Sequence, residues 1–229
     1  MMRAMRQDAA AESGAKVLGH GALRELRWWA QMLQLEAVRQ GVPLASRSLF
    51  PAPSDPGVLV PYSDASRELG SLIGSGYGAW AVFDETFFYV EGRWTPTEVA
   101  RLDINTLELV AMNIGTFTFL REAERRGRRI THVVEFTDNT AAECSADRGK
   151  PRATRLGELV ARRYESMLAM SVFGTTERVT SEDNDLADGL SRGGEQLADA
   201  LRMATSTLMP VVRLEADSQW RDTSYLLEL

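Results

Sequence analysis

The order of strand-like and helix-like segments is the feature that most restricts the fold of this chain. Three segments of strand-like composition, at 58–65, 76–84 and 86–91, follow one another with no helical pattern between them. Glycines mark the connections, so the three segments predict an antiparallel meander. Apolar residues at three- and four-residue steps then predict a long helix over about 105–126, and a further strand is predicted at 130–138.

The next part of the chain continues this alternation. Helical patterns at about 140–147 and 152–169 precede a short strand at about 171–180, and a helix begins near Glu182 or Asp183. The order of elements is therefore βββαβαβα. Hairpin strands followed by alternating helices and strands predict an α/β protein with a mixed five-stranded sheet flanked by helices.

The segments outside this series predict a division of the chain into three parts. Residues 1–57 combine a flexible leader, an amphipathic helix over 20–40 and a proline-rich linker. Residues 58–200 form the α/β domain, and 201–229 form a C-terminal extension. The N-terminal part is thus expected to be a helical appendage.

Composition excludes several classes of protein. The single cysteine, Cys144, allows no intramolecular disulfide and no cysteine zinc cluster within this chain. No apolar run approaches the ~20 residues of a membrane span, and residues 1–16 lack the apolar core of a secretory signal. A soluble, intracellular protein with no membrane partner is expected. The net charge of −6 argues against indiscriminate binding of nucleic acid.

Four acidic residues stand in short polar motifs at the ends of predicted elements. YSDAS carries Asp64, INTLELVAM carries Glu108, FTDNTA carries Asp138, and SEDNDLADGLSR carries Asp188. Each has an ordinary structural alternative as a turn, capping or solvated helix residue. If the first and fourth strands are neighbours, however, two of the carboxylates meet at one edge of the sheet, and the helices can bring the other two.

Such a cluster has a specific chemistry. Carboxylates that converge in a poorly solvated cleft repel one another, and a cation offsets that cost. Oxygen ligands suit Mg²⁺ or Mn²⁺, and the two histidines, His20 and His132, do not fit a zinc motif. Two such ions ~3.5–4 Å apart activate water and stabilise the leaving oxygen of a phosphodiester. The pattern therefore predicts hydrolysis of a nucleic-acid backbone.

The motifs also resemble a known family. SDAS, GYGAW, GRWTPTE, DINTLEL, FTDNTA and VTSEDNDLADGLSR match, in order and spacing, the ribonuclease H domain of retroelement reverse transcriptases, with the closest likeness to retrotransposons of the tyrosine-recombinase and related classes. The resemblance covers roughly 58–195, and residues 23–45 look like the connecting segment that precedes that domain. It implies a ribonuclease H-like fold and cleavage of the RNA strand of RNA–DNA hybrids. It also implies that Asp64, Glu108, Asp138 and Asp188 bind two Mg²⁺ or Mn²⁺ ions, and that a polymerase or larger assembly is a possible partner.

One departure from the family bears on activity. Many ribonucleases H carry a histidine in a loop before the last acidic residue, whereas TTERVTSEDN contains none. Two alternatives therefore stay open: a non-catalytic ribonuclease H-fold subunit or scaffold in a larger assembly, and another nuclease, such as a resolvase or exonuclease, on the same fold.

Substrate binding requires positive charge, which one region supplies. Residues 121–163 carry eleven basic and seven acidic side chains. The region predicts either a solvated, ion-paired surface or a face that contacts phosphates. The candidate substrate-binding residues are Arg125, Arg126, Arg128, Arg129, Arg152 and Arg155, together with Asn105 and Asn139, which are placed to reach 2′-hydroxyls.

Overall fold

The structure is a computed structural model that describes residues 20–34, 55–68, 74–140, 142 and 154–228. A mixed sheet with helices on both faces forms its centre. The predicted fold class, α/β with a mixed sheet flanked by helices, is confirmed.

The elements alternate largely as predicted. The strands are β1 (Val58–Leu59), β2 (Pro61–Ser66), β3 (Gly76–Phe83), β4 (Thr86–Arg93), β5 (His132–Thr137), β6 (Phe173–Arg178) and β7 (Val211–Arg213). The helices are α1 (His20–Met32), α2 (Pro96–Arg101), α3 (Ile104–Arg125), α4 (Thr154–Ala169), α5 (Asp185–Arg192), α6 (Gly194–Ser206), α7 (Ser218–Arg221) and α8 (Ser224–Leu227), and a 3₁₀ turn, Glu182–Asn184, precedes α5.

The strand order places β2 at the centre of the sheet. β2, β3 and β4 form the predicted antiparallel meander, β5 lies parallel to β2 on its other side, and β6 pairs with β5 in parallel. The first predicted strand is divided into β1 and β2 at Pro61, which has no N–H to continue the ladder. β7, parallel to β4, was not predicted because three residues are too few to show a strand period.

Helix α3 covers one face of the sheet. Its N-cap is Asp103, whose side chain accepts a hydrogen bond from the backbone N–H of Thr106 at 3.1 Å. It approaches β3 closely at Gly115, where an added Cβ would lie 2.5 Å from the Cβ of Ala79. This close packing explains why most of α3 is buried, and it fixes the position of the residues in its first two turns.

Helix α5 lies on the opposite face. Asp64 pairs with Gly78 across β2 and β3, and a Cβ added at Gly78 would lie 2.4 Å from the Cβ of Leu190 and 2.6 Å from the backbone nitrogen of Ser191. Side chains alternate between the faces of a strand, so Asp64 lies on the face that α5 covers.

The C-terminal residues pack against the domain. Trp220 stacks on Phe117 of α3 with ring centroids 4.4 Å apart, and the side chain of Leu226 is fully buried. Arg155 of α4 donates to the carbonyl of Leu226 at 2.9 Å. The segment predicted as an extension therefore covers the outer side of α3 and α4.

Several predicted features lie partly or wholly outside the described residues. They include the leader at 1–18, the end of the first helix beyond residue 34, most of the linker, and most of the helix predicted at 140–147. Short α2 was missed, although Thr95 and Glu98 form the capping box that begins it. In the described part of the chain, no helix combines the length and apolar character that a membrane crossing requires.

Candidate metal-binding active site

Three of the four predicted carboxylates come together at the carboxyl-terminal ends of β2 and β5. Asp64, Glu108 and Asp138 each place one carboxylate oxygen so that the three oxygens lie within 4.8 Å of one another. The strand register explains the first contact: Tyr62 pairs with Phe136 in parallel, so two residues further along Asp64 lies beside Asp138. The first strand of the meander and the strand before Asp138 are therefore neighbours, which is the condition under which two of the carboxylates were expected to meet.

Glu108 reaches this edge from α3. It is the fifth residue of the helix, just past the first turn in which it was predicted to lie. Its Oε2 accepts a hydrogen bond from the backbone N–H of Ala65 at 3.1 Å, and its carboxylate also interacts with the side chain of Asn139. These contacts hold the glutamate against the strand that carries Asp64.

The electrostatics of Asp64 are those of a poorly solvated carboxylate beside like charges. Burial raises the pKa of Asp64 to about 6. The hydrogen bond from Ser191 opposes this shift, whereas the charges of Asp188 and Asp138 add to it. The guanidinium of Arg192 has a smaller, opposing effect.

Glu108 is subject to the same forces. Burial, followed by the charges of Asp64 and Asp138, raises the pKa of Glu108 well above its ordinary value. The opposing influences are neutral donors, the Ala65 N–H and the Asn139 side chain. Two carboxylates that are each only 5% exposed therefore stand together, and no arginine or lysine of the described residues forms an ion pair with either of them.

The donor set fits a hard divalent cation. All three ligand atoms are carboxylate oxygens, the type that Mg²⁺ and Mn²⁺ prefer. Opposite ligands of one Mg²⁺ at 2.0–2.1 Å lie about 4.2 Å apart, which is close to the observed spread of 4.8 Å. The expected metal site is thus compatible with the observed geometry.

Asp188, the fourth predicted ligand, lies at the border of this cluster. Its charge acts on Asp64, but its own carboxylate is engaged by Arg192, with Nη2 at 2.7 Å from Oδ1. It is half-buried in the first turn of α5, whereas nearby Asp185 is exposed. Among the described residues, Asp188 is not part of the three-oxygen group.

The two predicted asparagines lie beside the cluster. Asn139 follows Asp138 directly, and its Nδ2 donates to Oδ1 of Asn105 at 3.3 Å. Both side chains are half-buried. They therefore form a polar pair next to Glu108.

The predicted arginines lie elsewhere, or outside the described residues. Arg125 is seventeen residues after Glu108 on α3, about 26 Å along the helix axis. Arg125 and Arg126 both bind Glu122, and Arg128 donates to the carbonyls of Pro56 and Val58.

Three further arginines complete that predicted set. Arg129 is exposed, Arg155 is tied to the carbonyls of Leu226 and Arg101, and Arg152 lies outside the described residues. Of the predicted arginines that the structure describes, none is therefore brought to the carboxylate cluster.

Three residues of the site's surroundings were not predicted as functional. Ser191 donates to Oδ2 of Asp64 at 2.5 Å, Ser181 donates to Oδ2 of Asp138 at 2.7 Å, and Asn184 donates to the carbonyl of Ser63 at 3.1 Å. Their sequence signal is only their place within SEDNDLADGLSR, around Asp188. Contacts across more than 40 residues have no local signature, so only the folded chain identifies these partners.

Comparisons with known proteins find similarity in solved structures alone. No protein-family model matches the chain, and no match is found among curated proteins. Ribonuclease H1 from Halobacterium salinarum is 19% identical, with a TM-score of 0.42 over 62% of this chain and 99% of its own. LC11-RNase H1, solved in complex with an RNA/DNA hybrid, is 15% identical, with a TM-score of 0.44 over 61% of this chain and 99% of its own.

A third similar structure is the foamy viral protease-reverse transcriptase in complex with an RNA/DNA hybrid. It is 14% identical, with a TM-score of 0.34 over 66% of this chain and 22% of its own. TM-scores below 0.5 and identities below 25% make all three loose likenesses, from which no activity is transferred to this chain.

Proposed function

We propose that this protein is a divalent-metal-dependent endonuclease that hydrolyses the RNA strand of RNA–DNA hybrids, with a two-metal site. The observation that carries the proposal is the three-oxygen group of Asp64, Glu108 and Asp138, whose atoms lie within 4.8 Å of one another and of which the two buried members have no ion pair with a described arginine or lysine. Buried carboxylates repel one another, so a fold keeps them together at a cost that a bound cation removes.

The four carboxylates are the metal ligands in this proposal. Asp64 and Asp138, at adjacent strand ends, would hold the ions together with Glu108 and Asp188. When bound, two Mg²⁺ or Mn²⁺ ions would supply an activated water and charge stabilisation at the leaving oxygen of the phosphodiester. Hydrogen bonds from Ser191, Ser181 and the Ala65 N–H orient one oxygen of Asp64, Asp138 and Glu108 respectively.

Asn105 and Asn139 are the proposed contacts to the RNA strand. Their amides lie beside Glu108 and provide both donors and acceptors, which suits the 2′-hydroxyl that distinguishes RNA from DNA. The basic residues of α3 and α4 are proposed to contact phosphates farther along the duplex.

The proposed origin is a retroelement reverse transcriptase, with its polymerase part or a larger assembly as partner. A non-catalytic subunit is the second candidate, because Asp188 is paired with Arg192 and 175–184 contains no histidine. Under that alternative the fold and the carboxylates persist without cleavage.

The deciding experiment measures cleavage of a labelled RNA–DNA hybrid, with duplex DNA and duplex RNA as competing substrates, in Mg²⁺ or Mn²⁺. The parent protein is expected to cut only the RNA strand of the hybrid. Asp64→Asn should lower the rate by about 10³-fold or more, because metal-assisted charge stabilisation is worth several kcal/mol. Hybrid binding by this variant should survive.

Asp185→Asn is the matched control, since Asp185 is an exposed carboxylate in the same turn as Asp188. It should cleave at the parent rate. Full cleavage by Asp64→Asn contradicts the proposal. A parent that binds the hybrid but leaves it intact in both metals supports the non-catalytic alternative.

A further inference from the structure

The junction between α5 and β2 contains a hydroxyl that contacts the proposed metal site directly. Ser191 has no exposed surface, and its Oγ donates to Oδ2 of Asp64 at 2.5 Å, across 127 residues of sequence. This hydrogen bond links the Asp64 carboxylate to α5, the helix that carries Asp188.

The backbone of Ser191 is held from two sides. Its carbonyl accepts hydrogen bonds from Oγ of Ser66 at 2.8 Å and from Nη1 of Arg93 at 2.6 Å. Its nitrogen lies so near Gly78 that a Cβ there would come within 2.6 Å. With the main chain fixed in this way, only rotation about χ1 can move the hydroxyl away from Asp64.

Packing alone does not explain why a serine stands here. Ser191 Oγ also lies 2.9 Å from the carbonyl of Asp188 within its own helix, but its single proton serves one acceptor at a time, and Oδ2 of Asp64 is the nearer acceptor at 2.5 Å. Alanine is a better helix former and would bury no polar atom at this fully enclosed position. The hydroxyl is instead directed to a carboxylate that needs a donor.

We propose that Ser191 is a positioning residue that holds one oxygen of Asp64, so that the carboxylate presents a fixed orientation to the divalent ion. The inference rests on the proposed function, because it assigns a role at the same site. Partners that orient a metal ligand typically change metal affinity by 10–100-fold when they are removed.

The test compares Ser191→Ala with Ser66→Ala by titration calorimetry with Mn²⁺ and by hybrid cleavage at varied Mn²⁺. Ser66→Ala removes a hydroxyl from the same junction, one that contacts the backbone of Ser191 and not Asp64. Ser191→Ala should weaken Mn²⁺ binding by about 10–100-fold and raise the half-saturating Mn²⁺ concentration for cleavage by the same factor. Saturating Mn²⁺ should restore cleavage to within a few-fold of the parent, and Ser66→Ala should bind Mn²⁺ as the parent does.

Three results overturn the inference, and they are distinguishable. Parent-like Mn²⁺ affinity in Ser191→Ala removes the positioning role while leaving the proposed function intact. Equal losses in Ser191→Ala and Ser66→Ala assign the effect to docking of α5 in general. A parent chain that binds no Mn²⁺ and cleaves no hybrid refutes the proposed function together with this role.

Discussion

The buried carboxylates of this domain have two kinds of surroundings: some bind an arginine, and others lie beside further carboxylates. Glu135, on β5, is 1% exposed, and its carboxylate binds the guanidinium of buried Arg163 and the hydroxyl of Thr116. Nη1 of Arg163 in turn donates to Oδ1 of Asn113 at 2.7 Å. Asp64 and Glu108 are nearly as buried, yet their nearest charges are mostly those of other carboxylates.

The surroundings of buried Glu98 resemble those of Glu135. Burial acts to raise the pKa of Glu98, but hydrogen bonds from Arg221, Thr223 and Thr95 outweigh that effect and lower the pKa below its ordinary value. The fold thus provides an internal cation for Glu135 and for Glu98. Among the described residues, Asp64 and Glu108 have no ion pair of this kind, which supports the proposal that an external cation binds at the strand ends.

The largest expected effect comes from removing the internal cation. Arg163→Met leaves Glu135 buried without a counter-charge and should lower the free energy of unfolding by about 3–5 kcal/mol. Urea unfolding measures the change. Adding Glu135→Gln to this variant should recover part of the loss, because the uncompensated charge is then gone.

Arg202→Met is the control for that prediction. Arg202 on α6 pairs with Asp199, both side chains are exposed, and exposed ion pairs contribute at most about 1 kcal/mol. If the two single variants lose equal stability, the contrast between internally paired and unpaired carboxylates has no energetic basis.

The second largest expected effect is stabilisation of the native protein by a divalent cation at the proposed site. Mn²⁺ at a hundred times its dissociation constant should stabilise the parent protein by about 2.7 kcal/mol, because it binds the native state alone. Asp64→Asn should lose most of this gain, whereas Arg163→Met should keep it. Thermal melts with EDTA and with added Mn²⁺ provide the measurement, and an equal shift in Asp64→Asn would place the ion elsewhere.

A smaller effect concerns pH in the absence of metal. The pKa of Asp64 is raised to about 6 in the native state, so its contribution to stability is fully present below about pH 4 and is lost as the pH rises through 6. Relative to Asp64→Asn, the parent in EDTA should lose about 1–3 kcal/mol between pH 4 and pH 7.5. Urea unfolding at these two pH values checks the sign. A parent that gains stability relative to the variant over this range contradicts the raised pKa.

Much of the framework follows from the sequence, because it depends on periodic patterns. The meander, the long α3 and the strand that ends before Asp138 each have a local signal, and they bring three carboxylates together. Contacts between distant parts of the chain have no local signal in the sequence. Ser191 contacts Asp64 across 127 residues, and Glu135 contacts Arg163 across 28. β7 is too short to show a period. The i,i+4 spacing of Asp188 and Arg192 within α5 permits their ion pair, but spacing alone does not say whether Asp188 joins the other carboxylates or binds Arg192.

The smallest expected effect concerns the basic end of α3 and asks whether charge far from the carboxylates contributes to binding. Glu122 already pairs with both Arg125 and Arg126, and Arg128 is bound to backbone carbonyls, which leaves exposed Arg129 best placed for a phosphate. Replacing all four arginines with serine should therefore reduce the slope of log affinity for the hybrid against log salt by only about one, the value of a single phosphate contact.

Binding measured from low to moderate salt with the cleavage-deficient Asp64→Asn background gives this slope without loss of substrate. Arg202→Ser is the control, because Arg202 is exposed on α6 and pairs with Asp199. If the slope of log affinity against log salt fell by three or four, the ion pairs with Glu122 would have to open when the duplex binds. An unchanged slope would assign these arginines to packing and solubility, and the positive charge that the hybrid requires would then have to come from residues nearer the cluster.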